Sequence, residues 1–169
     1  MTEEPTKAAP EFFHRLKVLV VEDSAEMRRL LEALLHSMGI EQVVLAQDGA
    51  RGLAAFATER PDIIITDGAM KPMDGYEMTR RIRASDRGAQ ANPDVPILMI
   101  SGHVDRVFVT HARDQGVTDY LVKPLLADVL YKAILAATST PIHFVEKPGY
   151  RGPSPRRSLD ARLPEPPFR

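Results

Sequence analysis

Five side chains that could act together chemically stand at the ends of short apolar runs of this 169-residue chain. Glu22 and Asp23 follow the first run, and Asp67 follows the third. Ser101 ends the fourth run, and Lys123 follows the fifth. If these runs are strands of one parallel sheet, their carboxyl ends lie at the same edge. The sequence therefore predicts three carboxylates, a hydroxyl and an ammonium group at one site.

Three clustered carboxylates repel one another and raise their own pKa values unless a cation joins them. Oxygen ligands without histidine or cysteine favour Mg²⁺, which takes one or two carboxylates together with phosphate oxygens. Lys123 and Ser101 could then bind a phosphoryl group, and Asp67 could accept that group covalently. A single acid at a strand end is more often a helix cap or a loop residue. The convergence of the whole set favours the phosphoryl site.

The pattern of apolar residues predicts the elements that would position this set. Strands are expected at 17–21, 43–46, 62–66, 96–101 and 119–122, and helices at 25–38, 49–59, 74–85, 106–115 and 126–137. Continuous apolar runs are typical of strands that are covered on both faces. Alternating strands and helices predict an α/β fold with a doubly wound, five-stranded parallel sheet.

The composition excludes several classes of protein. The chain has no cysteine, which excludes disulfides, thiolate zinc sites and a cysteine nucleophile. The net charge of −1 provides no general attraction to nucleic acid or membranes. No apolar stretch approaches the roughly 20 residues of a membrane span. We therefore expect a cytoplasmic protein without membrane insertion.

These motifs strongly resemble the receiver domain of bacterial response regulators, the family of the chemotaxis protein CheY. The resemblance covers about residues 15–137 and rests on VLVVEDS, IIITD, the MDG at 73–75, Ser101-Gly102 and GVTDYLVKP at 116–124. It implies a flavodoxin-like fold with strand order 2-1-3-4-5. It also implies a signalling switch rather than an enzyme with turnover on metabolites.

The resemblance implies roles for individual residues. Asp67 would be phosphorylated by a sensor histidine kinase or a phosphotransferase, with Lys123 and Ser101 assisting. The magnesium ligands would be Asp23, Asp67 and the carbonyl of Ala69, with Glu22 acting through water. Ser101 and Tyr120 would be the switch pair, in which Tyr120 rotates inward when Ser101 turns toward the phosphoryl group.

The chain departs from the family pattern at two places. Lys71 precedes Pro72, so the proline stands one position later than usual and the loop near the metal could differ in shape. Ala69 and His103 occupy positions that tune dephosphorylation in the family. Because alanine has no side chain to orient water, an altered phosphoryl lifetime is expected.

Residues 138–169 differ in composition from the rest of the chain. This tail holds seven of the 14 prolines and carries a net charge of +3. It is expected to be a flexible C-terminal extension, and residues 1–14 are expected to be an N-terminal extension. The tail is too short and too rich in proline for a helix-turn-helix domain, so DNA binding is not expected.

The tail nevertheless contains residues suited to a guanine nucleotide. Arg157 and Asp160 form an R-x-x-D motif. Arginine can bind the O6/N7 edge of guanine, and a carboxylate can accept from its N1–H and N2–H₂ groups. The tail resembles that of the Cle proteins, CheY-like proteins that bind cyclic di-GMP and act at the flagellar motor switch. The candidate ligands are Tyr150, Arg151, Arg156, Arg157, Ser158, Asp160 and Arg162.

Two other functions are compatible with parts of this pattern. The chain could be a phosphotransfer shuttle between histidine kinases with an inert tail. It could also be a phosphatase with an aspartate nucleophile, but such enzymes commonly need a second acid two residues later, where this chain has Ala69.

Overall fold

A five-stranded parallel sheet with helices on both faces forms the centre of the protein. The computed structural model describes residues 9–86 and 91–154. The strands are β1 (Lys17–Val21), β2 (Gln42–Ala46), β3 (Ile63–Asp67), β4 (Ile97–Ser101) and β5 (Asp119–Val122). The helices are α1 (Ala25–Ser37), α2 (Gly49–Glu59), α3 (Gly75–Arg83), α4 (Arg106–Gln115) and α5 (Ala127–Ser139). The strand order is β2-β1-β3-β4-β5, which confirms the predicted fold.

The central strands are apolar on both faces because helices cover both faces. Val18 and Val20 pack toward α1 and α5, whereas Leu19 and Val21 pack toward α2 and α3. All four of these side chains are fully buried. This two-sided burial explains why the strand appears in the sequence as a continuous apolar run.

Side chains at the helix starts place the loops that carry the site. The Ser24 hydroxyl accepts a hydrogen bond from the Met27 amide and begins α1 directly after the first acid pair. The Asp74 carboxylate accepts from the Glu77 amide at 2.8 Å and begins α3. Glu77 does not complete a capping box with Asp74, because its carboxylate pairs with Arg80 on the helix surface.

The packed unit begins before residue 15. A short 3₁₀ helix spans Glu11–Arg15, and its Phe13 ring is fully buried in the core, with Tyr131 of α5 beside it. The sequence places residues 1–14 in an N-terminal extension, but the described part of that segment, residues 9–14, contributes to the core.

Part of the C-terminal extension forms a β-hairpin. The antiparallel strands β6 (Phe144–Lys147) and β7 (Tyr150–Pro153) join at Gly149, whose φ of +77° favours glycine. The Arg151 guanidinium bonds Asp94 at 3.0 Å, and the Phe144 ring lies 4.9 Å from the Arg83 guanidinium. The prediction of one flexible extension therefore omitted an element that contacts the receiver fold.

Candidate functional site

The ends of β1 and β3 bring three carboxylates together. Glu22, Asp23 and Asp67 each offer an oxygen, and these oxygens lie within 4.8 Å of one another. Strands β1 and β3 are neighbours, with Val21 in register with Thr66, so the residues that follow them meet at one edge. The predicted acid cluster is therefore formed by the fold.

Bringing these carboxylates together without a cation is electrostatically unfavourable. Burial raises the pKa of Glu22 to about 7, although its hydrogen bond from the Ser24 amide opposes that shift. Burial also raises the pKa of Asp67, and Lys123 opposes the shift. A divalent cation would relieve this cost, and carboxylate oxygens are ligands that Mg²⁺ accepts. The donor set therefore fits a magnesium ion.

Lys123 and Ser101 reach the same edge from β5 and β4. The Lys123 ammonium lies 3.5 Å from a Glu22 oxygen and 3.6 Å from an Asp67 oxygen. The peptide bond between Lys123 and Pro124 is cis. Ser101 is buried, and its hydroxyl accepts a hydrogen bond from the His103 amide at 3.2 Å.

Tyr120 and Ala69 occupy contrasting environments near this edge. The Tyr120 ring is buried, and its hydroxyl donates to the His103 carbonyl at 2.8 Å. This hydrogen bond links β5 to the segment after Ser101. Ala69 is exposed in the loop that follows Asp67, two residues before the cis peptide bond between Lys71 and Pro72.

Sequence reasoning missed Arg28 and Tyr76. The Arg28 guanidinium donates to the carbonyls of Glu22 at 2.7 Å and Asp23 at 3.0 Å, and so holds the loop that carries both acids. Tyr76 lies in the first turn of α3, with its ring against Gly68, directly after Asp67. The sequence feature that could have identified Arg28 is its position one helical turn after Ser24, the N-cap of α1.

Tyr150 and Arg151, the two tail candidates that the structure describes, are separated from the acid cluster. Tyr150 and Arg151 lie on β7, beside the ends of α3 and α4 that precede β4 and β5. The Tyr150 hydroxyl donates to the Pro153 carbonyl, and Arg151 pairs with Asp94. The other candidates lie outside the described residues: Arg156, Arg157, Ser158, Asp160 and Arg162.

Within the described ranges, no helix is long and apolar enough to cross a lipid bilayer.

Comparisons with known proteins agree with this geometry. The family model of the response regulator receiver domain matches residues 18–135. The chemotaxis protein CheY of Pseudomonas aeruginosa is 33% identical over 119 residues, which are 70% of this chain and 93% of that protein. CheY1 of Helicobacter pylori is 32% identical over 126 residues, which are 74% of this chain and 98% of that protein.

A solved structure carries the same fold with a metal. The receiver domain of the sensor histidine kinase PA1611 from Pseudomonas aeruginosa matches with a TM-score of 0.66 and 29% identity. The match covers 74% of this chain and 98% of that one, and that structure holds a magnesium ion in its active-site cleft. Sheet order, acid cluster and comparisons agree, and the chain belongs to the response regulator receiver domain family.

Proposed function

We propose that this protein is a response regulator whose Asp67 is phosphorylated by a histidine kinase or a phosphotransferase. The observation that carries the proposal is the meeting of Glu22, Asp23 and Asp67 beside the Lys123 ammonium. One nucleophile, a set of oxygen ligands and one cation are the groups that phosphoryl transfer to aspartate requires.

Each residue of the site has a separate role in phosphoryl transfer. An Asp67 oxygen attacks phosphorus, and the bond between phosphorus and the donor imidazole nitrogen breaks. Asp23, Asp67 and the Ala69 carbonyl would hold the magnesium ion, with Glu22 acting through water. The ion would neutralise charge on the phosphoryl oxygens. The ammonium of Lys123, 3.6 Å from Asp67, provides a second positive charge.

Ser101 and Tyr120 would transmit the modification to the surface. The Ser101 hydroxyl would donate to the phosphoryl group in place of its present contact with the His103 amide. Tyr120 already bonds the carbonyl of the same histidine, so a shift of this segment would reach Tyr120 directly. Apolar side chains nearby are unusually exposed, with Val107 at 76% and Leu126 at 60%. These exposed side chains would contact a protein partner, such as the flagellar motor switch.

The tail would supply a second input by binding cyclic di-GMP. The R-x-x-D motif of Arg157 and Asp160, together with the neighbouring arginines, supports a guanine nucleotide with phosphates. If phosphorylation and nucleotide favour the same state of the protein, each strengthens the other by the same factor.

Phosphorylation can be tested by mass spectrometry of the intact protein. With Mg²⁺ and a phosphorylated histidine phosphotransferase, we expect the mass of one phosphoryl group to appear on the wild type. Asp67→Asn should remain unmodified, whereas Asp48→Asn, which caps α2, should be modified like the wild type. Equal modification of Asp67→Asn would contradict the proposal.

The alternative is a phosphotransfer shuttle between kinases with an inert tail. Both functions need Asp67, so calorimetry with cyclic di-GMP separates them. Binding that is lost in Arg157→Ala supports the two-input switch. Absence of binding favours the shuttle.

A further inference from the structure

The ring of Tyr76 contacts both the loop after Asp67 and helix α4. A Cβ on Gly68 would lie 3.1 to 3.3 Å from the outer end of this ring, which is closer than an ordinary contact. The ring therefore fits in this place because residue 68 carries no side chain. The same ring packs against His111 of α4, with the two ring centroids 4.6 Å apart. One side chain thus links the loop that follows the nucleophile to α4.

The hydroxyl of this ring is buried and has no hydrogen-bond partner among the described residues. Buried polar groups are nearly always paired, because leaving one unpaired is destabilising. Burial raises the pKa of Tyr76, and the neighbouring Tyr120 raises it further. The hydroxyl therefore keeps its proton at neutral pH and is available as a donor.

Tyr120 provides an acceptor in the same packed cluster. The two rings pack with Met99 and Val109, and Tyr120 is only 4% exposed. The Tyr120 hydroxyl already donates its proton to the His103 carbonyl at 2.8 Å. A phenol oxygen that donates still has lone pairs, so it can also accept. The two hydroxyls are close enough for Tyr120 to raise the pKa of Tyr76, although they form no hydrogen bond in this structure.

We propose that Tyr76 is a positioning residue that holds Tyr120 in its buried place by donating a hydrogen bond to the Tyr120 hydroxyl. The inference rests on the proposed function and adds a second connection between Asp67 and Tyr120. The first connection runs through Ser101 and the His103 segment, and the second runs through the ring of Tyr76. The Tyr76 hydroxyl takes no part in the transfer of the phosphoryl group itself.

A double-mutant cycle on the unphosphorylated full chain tests this hydrogen bond. Tyr76→Phe keeps the ring against His111 and removes only the hydroxyl. If the hydroxyl donates to Tyr120, this change should lower the equilibrium constant for folding, measured in urea, about fivefold, the effect of one ordinary hydrogen bond. In the Tyr120→Phe background the same change should have little effect, because the acceptor is already gone.

Tyr131→Phe is the matched control, because Tyr131 lies on α5 beside Phe13, outside this cluster. Its effect should be the same with and without the Tyr120 hydroxyl. If the Tyr76 hydroxyl stays unpaired, Tyr76→Phe would leave the stability unchanged or raise it, because an unsatisfied buried group is removed. That result would overturn the inference, and so would an equal loss in both backgrounds.

Fluorine NMR of the protein labelled with fluorotyrosine measures the exposure of Tyr120. The chain has four tyrosines, so each resonance can be assigned from a variant that lacks one of them. The shift of the Tyr120 resonance between H₂O and D₂O should be small in the wild type and in Tyr131→Phe. It should be larger in Tyr76→Phe, because a ring without its hydrogen bond is exposed to solvent for longer. An equally small shift in Tyr76→Phe would overturn the inference.

Mass spectrometry with the phosphorylated phosphotransferase separates this inference from the proposed function. Tyr76→Phe should gain one phosphoryl group like the wild type, because the hydroxyl acts on Tyr120 and not on phosphorus. An unmodified Tyr76→Phe would place the hydroxyl in the transfer step and overturn the positioning role. An unmodified wild type would overturn the proposed function, whereas loss of the coupling between the two tyrosines would overturn only this inference.

Discussion

The affinity for Mg²⁺ should depend on pH in a range where ordinary carboxylate sites are insensitive. Burial raises the pKa of Glu22 to about 7, so this carboxyl group is half protonated at neutral pH in the metal-free protein. A magnesium site needs ionised carboxylates, and binding therefore displaces the proton. The affinity for Mg²⁺ has its full value above the raised pKa of Glu22 and falls as the pH drops through that pKa.

The size of the effect follows from that pKa. At about one pH unit below 7, roughly nine in ten Glu22 side chains are protonated, so the apparent affinity should be about tenfold weaker than at high pH. At pH 7, binding of one ion should release about half a proton from this group. Glu22→Gln keeps the shape of the side chain but cannot titrate, and most of the pH dependence should disappear.

Calorimetric titration with MgCl₂ at about pH 6 and pH 8 measures the apparent affinity. Repeating each titration in two buffers with different enthalpies of ionisation gives the number of protons released. Glu77→Gln is the matched control, because its pKa is lowered to about 2 by Arg80 and Arg81 and it is ionised throughout. Equal affinities at both pH values in the wild type would refute the reasoning. So would a tenfold loss that persists in Glu22→Gln.

Further substitutions test the packing of the site loop and of the two segments that flank the receiver fold. Gly75→Ala should lower the free energy of unfolding in urea by more than about 2 kcal/mol, because the new Cβ would overlap the Asp67 carbonyl. Gly102→Ala should leave it nearly unchanged, since nothing lies within 4 Å of the new Cβ. Equal losses of unfolding free energy in the two variants would contradict this explanation. Phe13→Ala should cost about 3–5 kcal/mol in the same assay, since this ring is fully buried, and a loss below about 1 kcal/mol would show that the 3₁₀ helix is not part of the core. Arg151→Ala should speed amide exchange in β6 and β7 by removing the pair with Asp94, and unchanged exchange would show that other contacts hold the hairpin.

The strands and their polar ends could be predicted because each depends on local pattern. The run KVLVV is continuous because both faces of β1 are covered, and the structure places the strand at Lys17–Val21 as predicted. The acids follow from topology, since parallel strands end at one edge. The Ser24 cap is a feature of the same local kind, because a hydroxyl before an amphipathic segment is a sequence signal for a helix start.

The hairpin could not be predicted by the same reasoning. The prolines of the tail dominated its composition, although Pro148-Gly149 between Phe144 and Tyr150 is a turn signal. The hairpin makes distant contacts with the receiver fold, among them the pairing of Arg151 with Asp94 across 57 residues. Phe13 was missed for a related reason, because one aromatic residue before the first strand does not identify its partner on α5.

The hairpin limits how this protein can be dissected. Phe144 covers the buried Arg83 guanidinium, and the backbone of Gly116 lies against Arg151 and Gly152. Cutting the chain after α5 would therefore hydrate an arginine that the intact protein keeps away from water. A shortened protein that loses a property has lost this cover as well as the arginine-rich segment beyond it. Point substitutions after residue 154 are the cleaner way to assign any role to that segment.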